Sequence, residues 1–216
     1  MGFLDILLSL FFPPMCVFCG KSLSRIEDTW CKKCTDTLPF TLDSGRQEGV
    51  NYDFSIAPFY YAGNVQKSIH KYKFRGSSEF ANVYGKVLAD CILENPDIEY
   101  DIISWVPLSG TRERSRGYDQ AMLLALATAL HLDDVAVETL HKPVDVRAQS
   151  EIKGLDARIA NISGAYKVTD PELIEGKRIL LIDDIITTGS TLSECAKVLQ
   201  EAGANRIICA ALARGQ

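Results

Sequence analysis

The chain has no long hydrophobic run. Its one strongly apolar stretch, MGFLDILLSLFFPP at the N-terminus, continues for only about a dozen residues before Pro13 and Pro14. That is well short of the ~20 residues needed to cross a bilayer. The stretch also lacks a basic leader and a small-residue cleavage site, so it does not read as a signal peptide. Phe3, Ile6, Leu7, Leu10 and Phe11 recur at helical spacing, which predicts a short amphipathic helix that packs on its own protein or on a partner or membrane surface. The absence of Lys and Arg there weakens the membrane version, and the chain is expected to be cytoplasmic. Excess positive charge is missing too: 23 basic residues face 28 acidic ones, a net charge of −5. This argues against a protein that coats nucleic acid generically. There is no internal repeat or low-complexity tract. Acids are absent between Asp53 and Glu79, where Lys67, Lys71, Lys73 and Arg75 give a local charge of +4. That stretch reads as a solvated helix face, with pyrophosphate or DNA contact as the alternative.

What is present describes a globular protein, with 47% hydrophobic and 24% charged residues over 216 positions. This length holds one medium α/β domain and a small module. Four of the seven cysteines form two knuckles, Cys16-Val-Phe-Cys19 and Cys31-Lys-Lys-Cys34, with eleven residues between them. Two such pairs can set four thiolates tetrahedrally around Zn²⁺, and Gly20 permits a tight turn beside the first. Disulfides are the competing reading, but nothing else in the chain indicates an oxidising compartment. A full set of four sulfurs leaves no open coordination position, so the metal is expected to be structural. Cys91, Cys195 and Cys209 lie in apolar patterns and read as core residues.

Residues Ile179 to Thr191 read ILLIDDIITTGST. An apolar strand ends in Asp183 and Asp184, a short turn follows, and then a hydroxyl-rich loop opens a helix over Leu192 to Ala202. A helix start offers unpaired N–H groups and a positive dipole end, which suit a phosphate dianion. Thr187, Thr188, Ser190 and Thr191 add hydroxyl donors, and Gly189 lets the backbone approach closely. The neighbouring acids can accept hydrogen bonds from vicinal ribose hydroxyls. An ordinary strand-to-helix turn with an Asp cap would explain one acid and at most one Thr.

The zinc module is expected to end near Leu42, with Asp43 to Asn51 as a polar linker. Strands are expected at Ser55 to Tyr61, Ile102 to Val106, Val135 to Leu140, Gly164 to Val168, Arg178 to Ile182 and Arg206 to Leu212. Helices are expected at Asn64 to Phe74, Ser78 to Leu93 and Gln120 to Leu130. This alternation implies an α/β domain over residues 52–216, a mostly parallel sheet covered by helices on both faces. Ligands of such sheets sit at the C-terminal strand edges. After the strand at Ile102, Leu108, Ser109 and Gly110 lead to Arg112, Arg114 and Arg116, small residues beside guanidinium groups that suit a pyrophosphate. A solvated basic turn is the plainer reading. Lys142 to Gly164 is long and polar, and a segment of that kind is usually functional or mobile; Leu155 to Ile162 also fits a plain surface helix.

ILLIDDIITTGST resembles the signature of type I phosphoribosyltransferases, which bind 5-phosphoribosyl pyrophosphate (PRPP). The resemblance implies that Asp183 and Asp184 hold the ribose hydroxyls and Thr187 to Thr191 the 5′-phosphate. It further implies that Leu108 and Ser109 belong to a pyrophosphate loop, and that Lys142 to Gly164 is the flexible catalytic loop. Arg112, Arg116 and Arg147 would then neutralise the leaving group, and Mg²⁺ would accompany PRPP. Together with the cysteine knuckles, the stretch VPLSGTRERSRGYDQAMLLA and a downstream R…Q…R..N…AY pattern, the chain resembles the ComF family of competence proteins from Cys16 to Arg214. Asp119 departs from the Asn usual in that family. The resemblance implies a cytoplasmic role late in DNA uptake, beside an ATP-driven single-strand DNA translocase and recombination mediators. It leaves the acceptor of any phosphoribosyl group open. Lys21, Arg25, Lys32 and Lys33 make the zinc module basic, offset in part by Glu27 and Asp28, so contact with single-stranded DNA is a further expectation. A nucleobase-salvage phosphoribosyltransferase is the alternative. Thr187 stands where the 6-oxopurine enzymes carry an acid, and the zinc module is foreign to salvage enzymes.

Overall fold

The computed structural model describes residues 15–23, 30–74, 78–108, 117–143 and 165–216. The expected N-terminal amphipathic helix, Ser109 and the arginines that follow it, and all but the start of the Lys142 to Gly164 segment lie outside the described residues. In chain order the described part begins with helix α1 (Lys32–Thr35), a 3₁₀ turn at Asp43–Gly45 and strands β1 (Gln47–Glu48), β2 (Phe54–Ile56) and β3 (Phe59–Tyr60). Helices α2 (Gly63–Phe74) and α3 (Phe80–Leu93) come next, then β4 (Ile102–Trp105), α4 (Gln120–His131), β5 (Leu140–His141), β6 (Lys167–Val168) and α5 (Pro171–Ile174). The chain closes with β7 (Arg178–Ile186), α6 (Ser190–Glu201) and β8 (Arg206–Arg214).

One sheet in the order β1-β2-β8-β7-β4 organises the molecule, with β3 pairing further along β8. Every pair in it is parallel except β1 with β2. The unbroken apolar run of β7 follows from burial on both faces. Leu180 and Ile182 point into a core shared with Ile69, Tyr84, Leu88 and Leu124 of α2, α3 and α4. Ile179 and Leu181 point the other way, onto Leu192, Cys195 and Leu199 of α6. Cys91, Cys195 and Cys209 are buried as expected. Helices α3 and α4 touch at Gly85, where an added Cβ would lie 2.5 Å from that of Ala127. Any larger residue would push the two helices apart.

Several elements depart from the sequence expectation. Strand β7 does not stop at Ile182 but runs through both acids to Ile186, pairing Asp183 with Ala211 and Ile185 with Ala213. Its partner β8 is correspondingly long, and the ladder with β8 carries the polar residues inside the strand, whereas the ladder with β4 ends at Ile182. The expected strand from Ser55 to Tyr61 is two strands, broken at Ala57 and Pro58, because Pro58 has no N–H to donate. The expected linker from Asp43 to Asn51 is structured: Asp43, Ser44 and Asn51 adopt positive φ, and Gln47 and Glu48 form the antiparallel edge strand. The expected strand from Val135 to Leu140 shrinks to a bridge between Ala136 and Ile103, followed by β5.

Candidate functional site

Two centres emerge, one at the cysteine knuckles and one at the C-terminal edge of the sheet. At the first, the Cys16–Cys34 and Cys19–Cys31 sulfurs lie 3.7 and 3.5 Å apart. All four sulfurs fall within 4.8 Å of one another. A tetrahedron of bonds ~2.3 Å long has edges of roughly 3.8 Å, so the cluster has the dimensions of a four-thiolate metal site. All four cysteines are free thiols. The first knuckle turns at Gly20, whose N–H donates to the Cys16 carbonyl over 2.8 Å. The second opens α1, and the backbone N–H of Cys34 is the main influence drawing the Cys31 thiol down to about 7.

The knuckle is anchored in the main core. Phe18 meets Phe59 edge-on at 5.5 Å and Trp30 at 5.7 Å. The Ser68 hydroxyl on α2 donates to the Val17 carbonyl and also bonds the buried Tyr84 hydroxyl.

At the second centre β7 presents Asp183 and Asp184, both partly buried. The Asp184 N–H donates to the Asp183 carboxylate over 2.7 Å. The Asp184 carboxylate pairs with Lys73 of α2 at 2.8 Å. Beyond Ile186 the chain turns through Thr187 and Thr188, both exposed, to Gly189 at φ 72°, and then enters α6. Helix α6 thus starts on a left-handed residue, a conformation glycine adopts freely. The Tyr52 hydroxyl would lie 3.0 Å from a Cβ placed there. The Thr188 and Ser190 hydroxyls bond each other at 2.8 Å, and Thr191 is partly exposed on the first turn of α6. A cleft of ≈ 400 Å³ opens beside this loop, lined among others by Glu48, Tyr52, Thr188, Ser190, Glu194 and Arg214. The site therefore gathers two acids, a hydroxyl-bearing loop and a helix start at one strand end.

Leu108 stands at the exit of β4, and its N–H donates to the Asp119 carboxylate over 2.7 Å. The other Asp119 oxygen caps α4 by accepting from the Met122 N–H at 3.0 Å. A carboxylate serves both donors at once, whereas an Asn amide has a single acceptor oxygen. Ser109, Arg112, Arg116 and Arg147 lie outside the described residues. Lys73 and Tyr52, which reach the site, were not singled out by motif; the acid-free stretch around Lys73 was the available signal.

Burial first, and the Asp184 charge second, push the Asp183 carboxyl up to about 7, with Lys73 opposing. An acid whose folded pKa is raised stabilises the fold below its unfolded value and loses that contribution as pH climbs through the folded value. The unliganded protein should therefore lose stability between its ordinary value of 3.8 and about 7. Asp183→Asn should remove this slope and melt above the wild type at about pH 8, by roughly 2–4 °C for each kcal/mol relieved. Thermal melts at low and high pH check this, and equal differences at both would contradict it.

The sequence profile of the phosphoribosyl transferase domain matches residues 120–216, which include β7, the loop and α6. The fold is thus of the phosphoribosyltransferase class. Competence protein ComFC of Streptococcus pneumoniae is 29% identical, over 93% of this chain and 87% of the relative. DNA utilization protein YhgH of Escherichia coli is 30% identical, over 88% of this chain and 86% of the relative. ComFC of Bacillus subtilis is 28% identical, over 88% and 72%. The chain belongs to the ComFC/YhgH family.

Proposed function

We propose that this protein binds PRPP together with Mg²⁺ and serves the cytoplasmic handling of DNA during natural transformation. The observation that carries the first part is the placement of Asp183 and Asp184 near the end of β7, just ahead of a hydroxyl-bearing loop at the start of α6. In this reading the two carboxylates accept the ribose hydroxyls, and the Thr187 to Thr191 loop donates N–H and O–H groups to the 5′-phosphate. Leu108 and Ser109 border the pyrophosphate, while Arg112, Arg116 and Arg147 supply charge to it. Bound Mg²⁺ would neutralise phosphate charge while keeping most of its water.

The arrangement also suits phosphoribosyl transfer, in which the C1–O bond to pyrophosphate breaks as a bond to a nitrogen nucleophile forms and pyrophosphate departs with the electron pair. Pyrophosphate release with candidate bases decides between turnover and binding alone. The cysteine set, of module 1–42 beside domain 52–216, is inferred to hold Zn²⁺, the ion for which four thiolates at these distances are suited. Lys21, Lys32 and Lys33 are exposed on that module, which supports contact with single-stranded DNA or with a translocase or recombination mediator.

The competence part rests on what the relatives are named for. Among the described residues no helix is long and apolar enough to cross a membrane. In a competent source organism, a clean deletion should still bind and import DNA yet yield few transformants. Purine or pyrimidine supplements should not restore them, since Thr187 and the cysteine module both argue against base salvage. Normal transformation in the deletion strain overturns the competence role, and rescue by a supplement restores the salvage alternative.

A further inference from the structure

Seven ion pairs are present among the described residues. In six of them each partner has at least 30% of its side chain exposed. The seventh, Lys73 with Asp184, is enclosed, with exposures of 18% and 13%. Enclosing an ammonium is unfavourable unless its charge is used. A structural pair would normally leave the surroundings balanced, but here the ammonium meets Asp184 while its charge also reaches the adjacent Asp183, which among the described residues has no ion pair of its own. Lys73 also sits in the last turn of α2, on a flexible four-carbon stem that can redirect its charge.

We propose that Lys73 recognises the 1-pyrophosphate of PRPP: it holds Asp184 in place before the ligand binds and moves to the diphosphate when the ligand enters. This rests on the PRPP reading above. The ligand's own stereochemistry directs the assignment, because the 1-pyrophosphate lies on the same face of the ribose as the 2′- and 3′-hydroxyls. A cation touching the carboxylate that grips those hydroxyls therefore faces the diphosphate. Once hydroxyls and Mg²⁺ occupy the acids, the ammonium loses its reason to remain on Asp184, and the nearest uncompensated negative charge is the ligand's. Lys73 thereby separates a ligand that carries the diphosphate from one that lacks it.

Calorimetry with Mg²⁺ and either PRPP or ribose 5-phosphate tests this on the full chain. Lys73→Met should weaken PRPP about tenfold or more, the worth of a charge-assisted hydrogen bond. It should leave ribose 5-phosphate within about threefold. An equal loss for both ligands makes Lys73 a support for Asp184 alone and overturns the proposal, as does no change for either. Should Lys73→Met fail to fold, the double variant Lys73→Met with Asp184→Asn removes both partners of the pair, so neither is left without the other. It is then compared with Asp184→Asn alone, and the same selective loss of PRPP is expected. Wild-type protein that binds neither ligand removes the PRPP reading itself. Binding by wild type with an unselective variant removes only the role of Lys73.

Discussion

Cys31→Ser protein should contain no zinc and should melt roughly 10 °C below the wild type. Freshly purified wild-type protein should carry one zinc per chain. Two effects combine in the variant. A thiolate leaves a cluster whose sulfurs already sit at metal-binding distances, and in small metal modules the binding free energy is folding free energy. The knuckle is also no appendage: Cys16, Val17, Phe18 and Cys34 belong to the same buried cluster as Phe59, Ile69 and Tyr84. Releasing Phe18 from that cluster resembles a large-to-small core substitution, worth about 3–5 kcal/mol. At this chain length each kcal/mol moves the melting temperature by roughly 2–4 °C. Chelator treatment of the wild type should reproduce the shift, and zinc should reverse it. Zinc-free wild-type protein that melts no lower than the zinc-loaded form removes the metal from the account of stability.

PRPP affinity should collapse when the acid pair is neutralised. Asp183→Asn and Asp184→Asn keep the shape of β7, since both residues lie in its paired stretch. Each replaces a charged acceptor with a neutral one, and hydrogen bonds to charged groups are worth about 1.5–3 kcal/mol. Each single variant should therefore lose at least about tenfold in affinity, and the double variant should show no measurable binding at concentrations that saturate the wild type. Because Asp183 is the acid held up near neutrality, its Asn variant should bind poorly while folding at least as well as the wild type at alkaline pH. Titration calorimetry of wild type and double variant with equal affinities would reject the site assignment outright.

How legible these features were in the sequence depended on distance along the chain. The acids, the hydroxyl loop and the helix start lie within thirteen residues, from Ile179 to Thr191, and strand propensity and turn chemistry there agree. The cysteine spacing likewise announced a four-sulfur site by itself. Pairings across the chain were not visible. Lys73 looked like one of several cations on a polar helix, and only the packing of α2 against the sheet edge turns it to Asp184. The edge strand β1 consists of two polar, exposed residues, Gln47 and Glu48, so it carries no hydrophobic alternation to read. The end of β7 was misplaced because carboxylates normally mark the end of a buried run, whereas β8 continues to pair beside them.

Helix α2 touches both centres. Ser68 bonds the knuckle backbone at Val17, and five residues later Lys73 meets Asp184. Five residues of α-helix span about 7.5 Å, and each added residue rotates the remainder of the helix by roughly 100°. A single-residue insertion or deletion between Ser68 and Lys73 would therefore leave one contact intact and swing the other away. The spacing acts as a ruler shared by the two sites. Relatives that drop the cysteines should be free to drift in this interval, and relatives that keep both centres should hold it at fixed length.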